Sequence, residues 1–252
     1  MQTYIANHQM ELKYLTLLKK AFSKTVDVLF PKICYSCGER LIGNESFVCS
    51  SCSAKIEPYY ESICRVCGSF DVQAKAICRF CNENRAYFDK CRSIIQYNEV
   101  ARVLIHELKY NEKTKIADML ANIAIEYIEN TKPYRSVDCV VNIPLHAVKR
   151  RSRGYNQAEF LAARIADHFA WKHNPSLFKK ALPTASQTSL SSVERKTNVA
   201  NAFSVDSKAN IKDHNFLIID DVFTTGATVN AASGELKKRN ADKVYVLTIA
   251  RA

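Results

Sequence analysis

Leu12, Leu15, Leu18, Phe22, Val26 and Leu29 recur at helical spacing with lysines between them, so residues 10–30 are expected to form an amphipathic helix that Pro31 ends. Packing of that helix against the rest of the protein is favoured over a place on a membrane surface. The next sixty residues carry few large apolar side chains. From Ser93 onward the pattern changes to strand and helix in alternation. Ser93–Tyr97 reads as a strand, and Val100–Lys109 as a helix with Val103, Leu104 and Leu108 on one face. A second helix starts at Thr114 or Lys115 and carries Ile116, Met119, Leu120, Ile123 and Ile128. Val137–Ile143 is a short buried strand stopped by Pro144, Glu159–Phe169 a helix and Phe178–Ala181 a brief strand. Phe216–Ile219 and Val244–Ile249 are strands flanking a helix over Thr228–Arg239. The alternation predicts an α/β fold with a mainly parallel sheet, flanking helices, and ligands at the carboxyl ends of the strands. Asp220–Asp221 and Pro144 both lie at such ends.

The apolar-poor stretch explains itself through cysteine. Eight of the ten cysteines form four Cys-x-x-Cys pairs: Cys34/Cys37, Cys49/Cys52, Cys64/Cys67 and Cys78/Cys81, separated by 11, 11 and 10 residues. Two such pairs supply the four thiolates of a tetrahedral zinc site. Gly38 and Gly68 follow the first and third pairs, where a knuckle turn needs positive φ. The segment therefore looks duplicated, with one unit at 34–52 and one at 64–81. Two structural Zn²⁺ ions are expected, and the duplication favours sequential pairing over a cross-braced arrangement. Metal is expected to supply much of the folding free energy here.

Composition adds little to fold and something to partners. At 47% apolar and 24% charged, the 252 residues suit an ordinary globular core. The formal net charge is +11, most of it after residue 91: residues 1–91 hold 12 Lys/Arg and 9 Asp/Glu, residues 92–252 hold 24 and 16. A basic surface suits anionic ligands, either a polyphosphorylated sugar or a nucleic acid. No run of about eighteen apolar residues occurs, so a membrane span is not expected. Nor does the N-terminus order a basic start, apolar block and cleavage site as a secretory signal does, so a cytoplasmic protein is expected.

Candidate chemistry concentrates where Phe216-Leu-Ile-Ile runs into Asp220-Asp221, then Thr224-Thr225-Gly226-Ala227-Thr228. A small, hydroxyl-rich turn opening a helix offers N–H groups and the positive end of the helix dipole to a phosphate. Two acids beside it suit ribose hydroxyls or a metal shell. A second cluster, Asn142-Ile-Pro144-Leu145-His146, follows a strand end. A third, Lys149-Arg150-Arg151-Ser-Arg153-Gly-Tyr155-Asn-Gln157, reads as an anion-seeking mobile loop. Its arginines can grip pyrophosphate with bidentate bonds, and Tyr155 can stack on a base or shield a bound sugar. Lys149, Arg150, Arg151, Arg153 and Tyr155 are the candidate nucleic-acid contacts. In a fourth, Ser192 with Glu194–Arg195 marks a helix start, and Arg195 and Asn198 lie one turn apart on one face.

The Asp220-Asp221…Thr224-Thr-Gly226 run resembles the phosphoribosyl-pyrophosphate (PRPP) signature of type I phosphoribosyltransferases. That resemblance implies that Asp220 and Asp221 hold the ribose 2′- and 3′-hydroxyls, and that Thr224–Thr228 hold the 5′-phosphate. It also implies that the loop at Pro144, through the backbone of Leu145 and His146, holds the pyrophosphate. The full order is narrower. Cysteine-pair repeats, His106-Glu-Leu-Lys109-Tyr110, Pro144-Leu-His146, Arg151-x-Arg153-Gly-Tyr-Asn-Gln157, Glu194-Arg195-x-x-Asn198 and the acidic run together resemble the ComF family over residues 15–252. The resemblance implies an N-terminal helix at 1–31, a double zinc ribbon at 32–91 and a phosphoribosyltransferase-type domain with its hood at 92–252. It also implies a role in natural competence, with imported single-stranded DNA and the DNA-uptake machinery as partners.

The resemblance makes Mg-PRPP, or a related phosphorylated ribose, the expected ligand. In transfer chemistry Mg²⁺ and Arg151 or Arg153 would stabilise the leaving pyrophosphate while Asp220 and Asp221 hold the ribose. Purine-salvage members often carry an acid where this chain has Thr224, and no general base is evident here. Binding of PRPP is therefore the leading expectation. The alternative is an active phosphoribosyltransferase passing ribose 5-phosphate to an unidentified acceptor in nucleotide metabolism.

Overall fold

The computed structural model describes residues 31–56, 58, 64–69, 77–83, 86–110, 114–145, 147–180 and 203–252. The helix expected at 10–30, His146 and the cluster around Arg195 and Asn198 lie outside them. Two compact units divide the chain, residues 1–54 and 55–252.

In the first unit a knuckle turn is closed by Cys34 N–H donating to Glu39 O (2.7 Å) and Gly38 N–H donating to Cys34 O (2.9 Å). Gly38 takes φ +76°, as its place after a cysteine pair requires. Helix α1, Ser50–Ser53, starts at Cys49 and buries Cys52.

The second unit begins with an equivalent knuckle, where Gly68 has φ +68° and donates to Cys64 O at 3.0 Å. Short helix α2, Arg79–Glu83, follows. Strand β1, Lys90–Gln96, leads to helices α3, Glu99–Tyr110, and α4, Thr114–Thr131. Strand β2, Cys139–Asn142, is followed by α5, Ala147–Arg153, and α6, Gln157–His168, then the two-residue β3, Lys172–His173. Strands β4, Phe178–Lys180, and β5, Phe203–Val205, pair antiparallel as a separate ribbon. Strand β6, Phe216–Phe223, helix α7, Ala227–Lys238, and strand β7, Val244–Arg251, complete the unit.

The main sheet has the order β1-β7-β6-β2-β3, with every pair parallel. Its inner strands are nearly continuous apolar runs because helices cover both faces. Leu217, Ile218, Val244 and Val246 are fully buried. After β2 the chain moves to β3 on one side, and after β6 it moves to β7 on the other. The carboxyl ends of β2 and β6 therefore flank a crevice, the usual ligand position in such sheets.

Three sequence expectations need correction. The strand expected to stop at Ile219 runs through both acids to Phe223. Pairing with β2 ends at Asn142–Ile219, with Ile143 N–H donating to Ile219 O at 3.0 Å, while β7 follows as far as Phe223–Arg251. One neighbour is enough to hold the strand, and the side facing β2 is left to the crevice. The basic run is not a loop. Residues 147–153 are helical, because lysine and arginine are good helix formers, and Gly154 at φ +76° ends the turn by donating to Arg150 O (2.8 Å). Finally, α3 buries Val100, Ala101, Leu104, Ile105 and Leu108, and Val103 is only half-buried.

The second cysteine cluster shares the core of its unit. Cys64, Cys67 and Cys78 are buried in one group with Phe88, Cys91 and Phe223.

Candidate functional site

The two acids on β6 have unequal surroundings. Asp221 is 8% exposed, and its Oδ2 accepts from Lys109 Nζ at 2.8 Å and Gln157 Nε2 at 2.9 Å. Asp220 is half-buried, and its Oδ1 accepts from the Asp221 N–H at 2.9 Å. Burial, then the neighbouring Asp221 charge, push the Asp220 carboxyl up to about 8, against the pull of that N–H and of Lys109 and Lys180. Lys180 comes from the β4–β5 ribbon, where its Nζ lies 5.7 Å from the centroid of the Phe203 ring.

Just beyond, Thr224 and Thr225 are exposed and Gly226 stands at φ +74° as the N-cap of α7. Thr225 Oγ1 accepts from Ala227 N–H at 3.4 Å. A Cβ on Gly226 would lie 2.4 Å from Phe223 Cζ, so both the dihedral and the space require glycine. Ala227 is exposed and Thr228 half-buried in the first turn of α7. Backbone N–H groups, two open hydroxyls and a helix N-terminus form a cradle that fits a phosphate.

Across the crevice, Pro144 and Leu145 are half-buried after the end of β2. Asn156 ties this loop to α6: its Nδ2 donates to Ile143 O at 2.9 Å, and its Oδ1 caps the helix by accepting from Ala158 N–H at 3.1 Å. On α5, Arg150 and Arg151 are exposed and Arg150 reaches Glu159 at 3.8 Å. Arg153 is half-buried, with Nη1 3.5 Å from Gln157 Oε1. Tyr155 turns inward: its hydroxyl donates to Leu108 O, and its ring meets Phe160 edge-on at 5.6 Å. Lys149 lies on the same short helix.

Lys109 and Gln157 stand in the motifs His106–Tyr110 and Arg151–Gln157, but the sequence assigns neither a role at the acids. A signal for Lys109 was present: it follows buried Ile105 by one turn, so a lysine stands in an apolar helix stripe. Gln157 is a buried amide in the first turn of α6, and only the folded chain brings it to Asp221.

The thiols assemble in sequential sets, Cys34/Cys37/Cys49/Cys52 and Cys64/Cys67/Cys78/Cys81, each with all sulfurs within 4.8 Å of one another. Cys37–Cys49 at 3.6 Å and Cys67–Cys78 at 3.5 Å approach the edge of a zinc–thiolate tetrahedron, about 3.8 Å. Although burial opposes it, backbone N–H groups aimed at the sulfurs bring Cys34 down to about 6 and Cys64 to about 7. Both sets fit structural zinc.

Among the described residues no helix is long and apolar enough to cross a membrane. A double zinc ribbon domain matches residues 25–82, and a phosphoribosyl transferase domain matches residues 111–252. Competence protein F of Haemophilus influenzae is 28% identical over 87% of this chain and 96% of its own length. DNA utilization protein YhgH of Salmonella typhimurium is 26% identical over 88% and 97%. Competence protein ComFC of Bacillus subtilis is 27% identical over 84% and 87%. With a double zinc ribbon ahead of the sheet and the acid pair and glycine turn at its crevice, the chain belongs to the phosphoribosyl transferase domain family, in the arrangement of the ComF proteins.

Proposed function

We propose that the chain binds Mg-PRPP in the crevice between β2 and β6 and acts in the cytoplasm in the uptake or use of DNA. One observation carries the ligand: Asp220 and Asp221 lie on the part of β6 that outruns β2, directly before the glycine turn at the start of α7. Asp220 and Asp221 take the ribose hydroxyls, and the backbone and hydroxyls of Thr224–Thr228 take the 5′-phosphate. The backbone after Pro144 takes the pyrophosphate, with Arg151 and Arg153 as its cationic neighbours. Mg²⁺ arriving with PRPP supplies neutralisation of the pyrophosphate charge. Lys109 and Gln157 orient Asp221 from α3 and α6 and keep its carboxylate aimed into the crevice.

Calorimetric titration of the full chain with Mg-PRPP tests this reading. Saturable binding that disappears in Asp220→Asn/Asp221→Asn is expected, and an absence of binding to the unsubstituted protein overturns it. Pyrophosphate release in the same samples, on offering acceptors, would convert binding into transfer.

The names of the relatives, competence and DNA utilization proteins, support the DNA role. So does α5, whose Arg150 and Arg151 are exposed. Single-stranded DNA is the proposed nucleic acid, held through its phosphates.

A further inference from the structure

We infer that Arg251 is a positioning residue for the 5′-phosphate turn, and that through it the second cysteine set is a built part of the phosphate site. The inference rests on the ligand assignment above only for the identity of what the turn holds. Arg251 is the last residue of β7, and its guanidinium works in two directions. Toward the metal set, Nη1 donates to Cys67 O at 2.9 Å and Nη2 stands 3.6 Å from Cys67 Sγ. Toward the turn, its Cζ lies 4.3 Å from the centroid of the Phe223 ring. That ring is the surface on which Gly226 rests, so close that a Cβ there would overlap it. The backbone of Phe223 is fixed as well, its carbonyl accepting from Ala252 N–H at 3.0 Å.

A second strut reaches the same turn from the segment following the cysteines. Tyr87 N–H donates to Asn230 Oδ1 at 2.7 Å, while Asn230 N–H donates to Gly226 O at 2.9 Å. Phe88 meets Phe223 edge-on at 6.4 Å. The turn is thus held between a guanidinium anchored on a metal-ligand residue and a backbone segment leaving the same ribbon. A planar, charged fork suits the first strut better than a lysine ammonium, since it stacks on a ring and donates from its edge at once.

The experiment uses the full zinc-loaded chain with Arg251→Met, Arg251→Lys and Phe223→Leu, the last two guarding against a fold lost with the charge. Without ligand, amide hydrogen exchange at Ala227 and Asn230 reports the turn. Exchange about tenfold faster in Arg251→Met and Phe223→Leu is expected, with smaller change in Arg251→Lys and two zinc ions retained. Affinity for Mg-PRPP and for ribose 5-phosphate should fall together by about tenfold, while inorganic pyrophosphate with Mg²⁺, held across the crevice, binds as before. Unchanged exchange at these two amides overturns the inference. Equal acceleration in β2 and α6, or equal loss of pyrophosphate binding, does so too, because it marks general loosening. Failure of the unsubstituted chain to bind PRPP or ribose 5-phosphate would refute the ligand assignment alone, since the exchange result decides the role of Arg251 separately.

Discussion

Lys109 Nζ stands 2.8 Å from Asp221 Oδ2, so the inner acid of the pair carries its counter-charge within the protein. Lys109→Met leaves a nearly buried carboxylate with Gln157 as its one remaining side-chain donor among the described residues. A loss of about 2 kcal/mol is expected, below the range for a wholly buried pair because Lys109 keeps partial contact with solvent. Chemical denaturation checks it, and Asp221→Asn in the same background should restore most of the loss.

Asp220 titrates high in the folded chain, near 8 against an ordinary 3.8. A raised acid binds its proton more tightly folded than unfolded, so its contribution to stability falls as pH rises from about 4 to about 8 and is level beyond. Asp220→Asn should therefore raise the melting temperature of the ligand-free protein, by about 2–4 °C at pH 8 and less at pH 5. The same variant should bind Mg-PRPP more weakly. Thermal melts at both pH values with a paired titration check the opposition between stability and binding.

Gly226→Ala meets both a positive φ and the Phe223 ring. About 1–3 kcal/mol of stability should be lost, and Mg-PRPP affinity should drop by about tenfold or more as the turn reshapes. Denaturant titration and calorimetry measure the two effects.

Single-stranded DNA binding should weaken steeply with salt. Arg150→Gln/Arg151→Gln removes two exposed charges of α5 and should shallow the log–log salt slope by about 1.4. Anisotropy titrations across a salt series decide this. An unchanged slope moves the DNA contact elsewhere on the protein.

Elemental analysis should give two zinc ions per chain. Cys78→Ser, in the set sharing its core with Phe88 and Phe223, should leave one ion and lower the melting temperature of residues 55–252.

Much of this was legible before folding, for reasons particular to each residue. Cys-x-x-Cys spacing is local chemistry, so the two metal sets and the left-handed glycines 38 and 68 could be read directly, whereas sequential pairing was only favoured by the duplication and is decided by the fold. The acid pair and glycine turn were legible because strand, turn and helix are contiguous. Where β6 ends was not. A strand stops where its neighbours stop, and the continued pairing of Asp220–Phe223 with β7 is a property of two segments distant in sequence. The same holds for Lys109 and Gln157, which meet Asp221 from α3 and α6. The basic run looks like a loop in sequence because its dense charge masks the good helix propensity of lysine and arginine.

The second knuckle has a further consequence at the rim of the sheet. Strand β1 is outermost in the order, and its Cys91 N–H is met by Val66 O at 2.7 Å. Gly68 permits that approach, since a Cβ there would come within 2.9 Å of Cys91 O. The knuckle turn thus occupies part of the backbone edge of a border strand, an edge that can otherwise accept strand addition from another chain. Removal of zinc from that set, or a side chain at position 68, is therefore expected to free this backbone edge of β1.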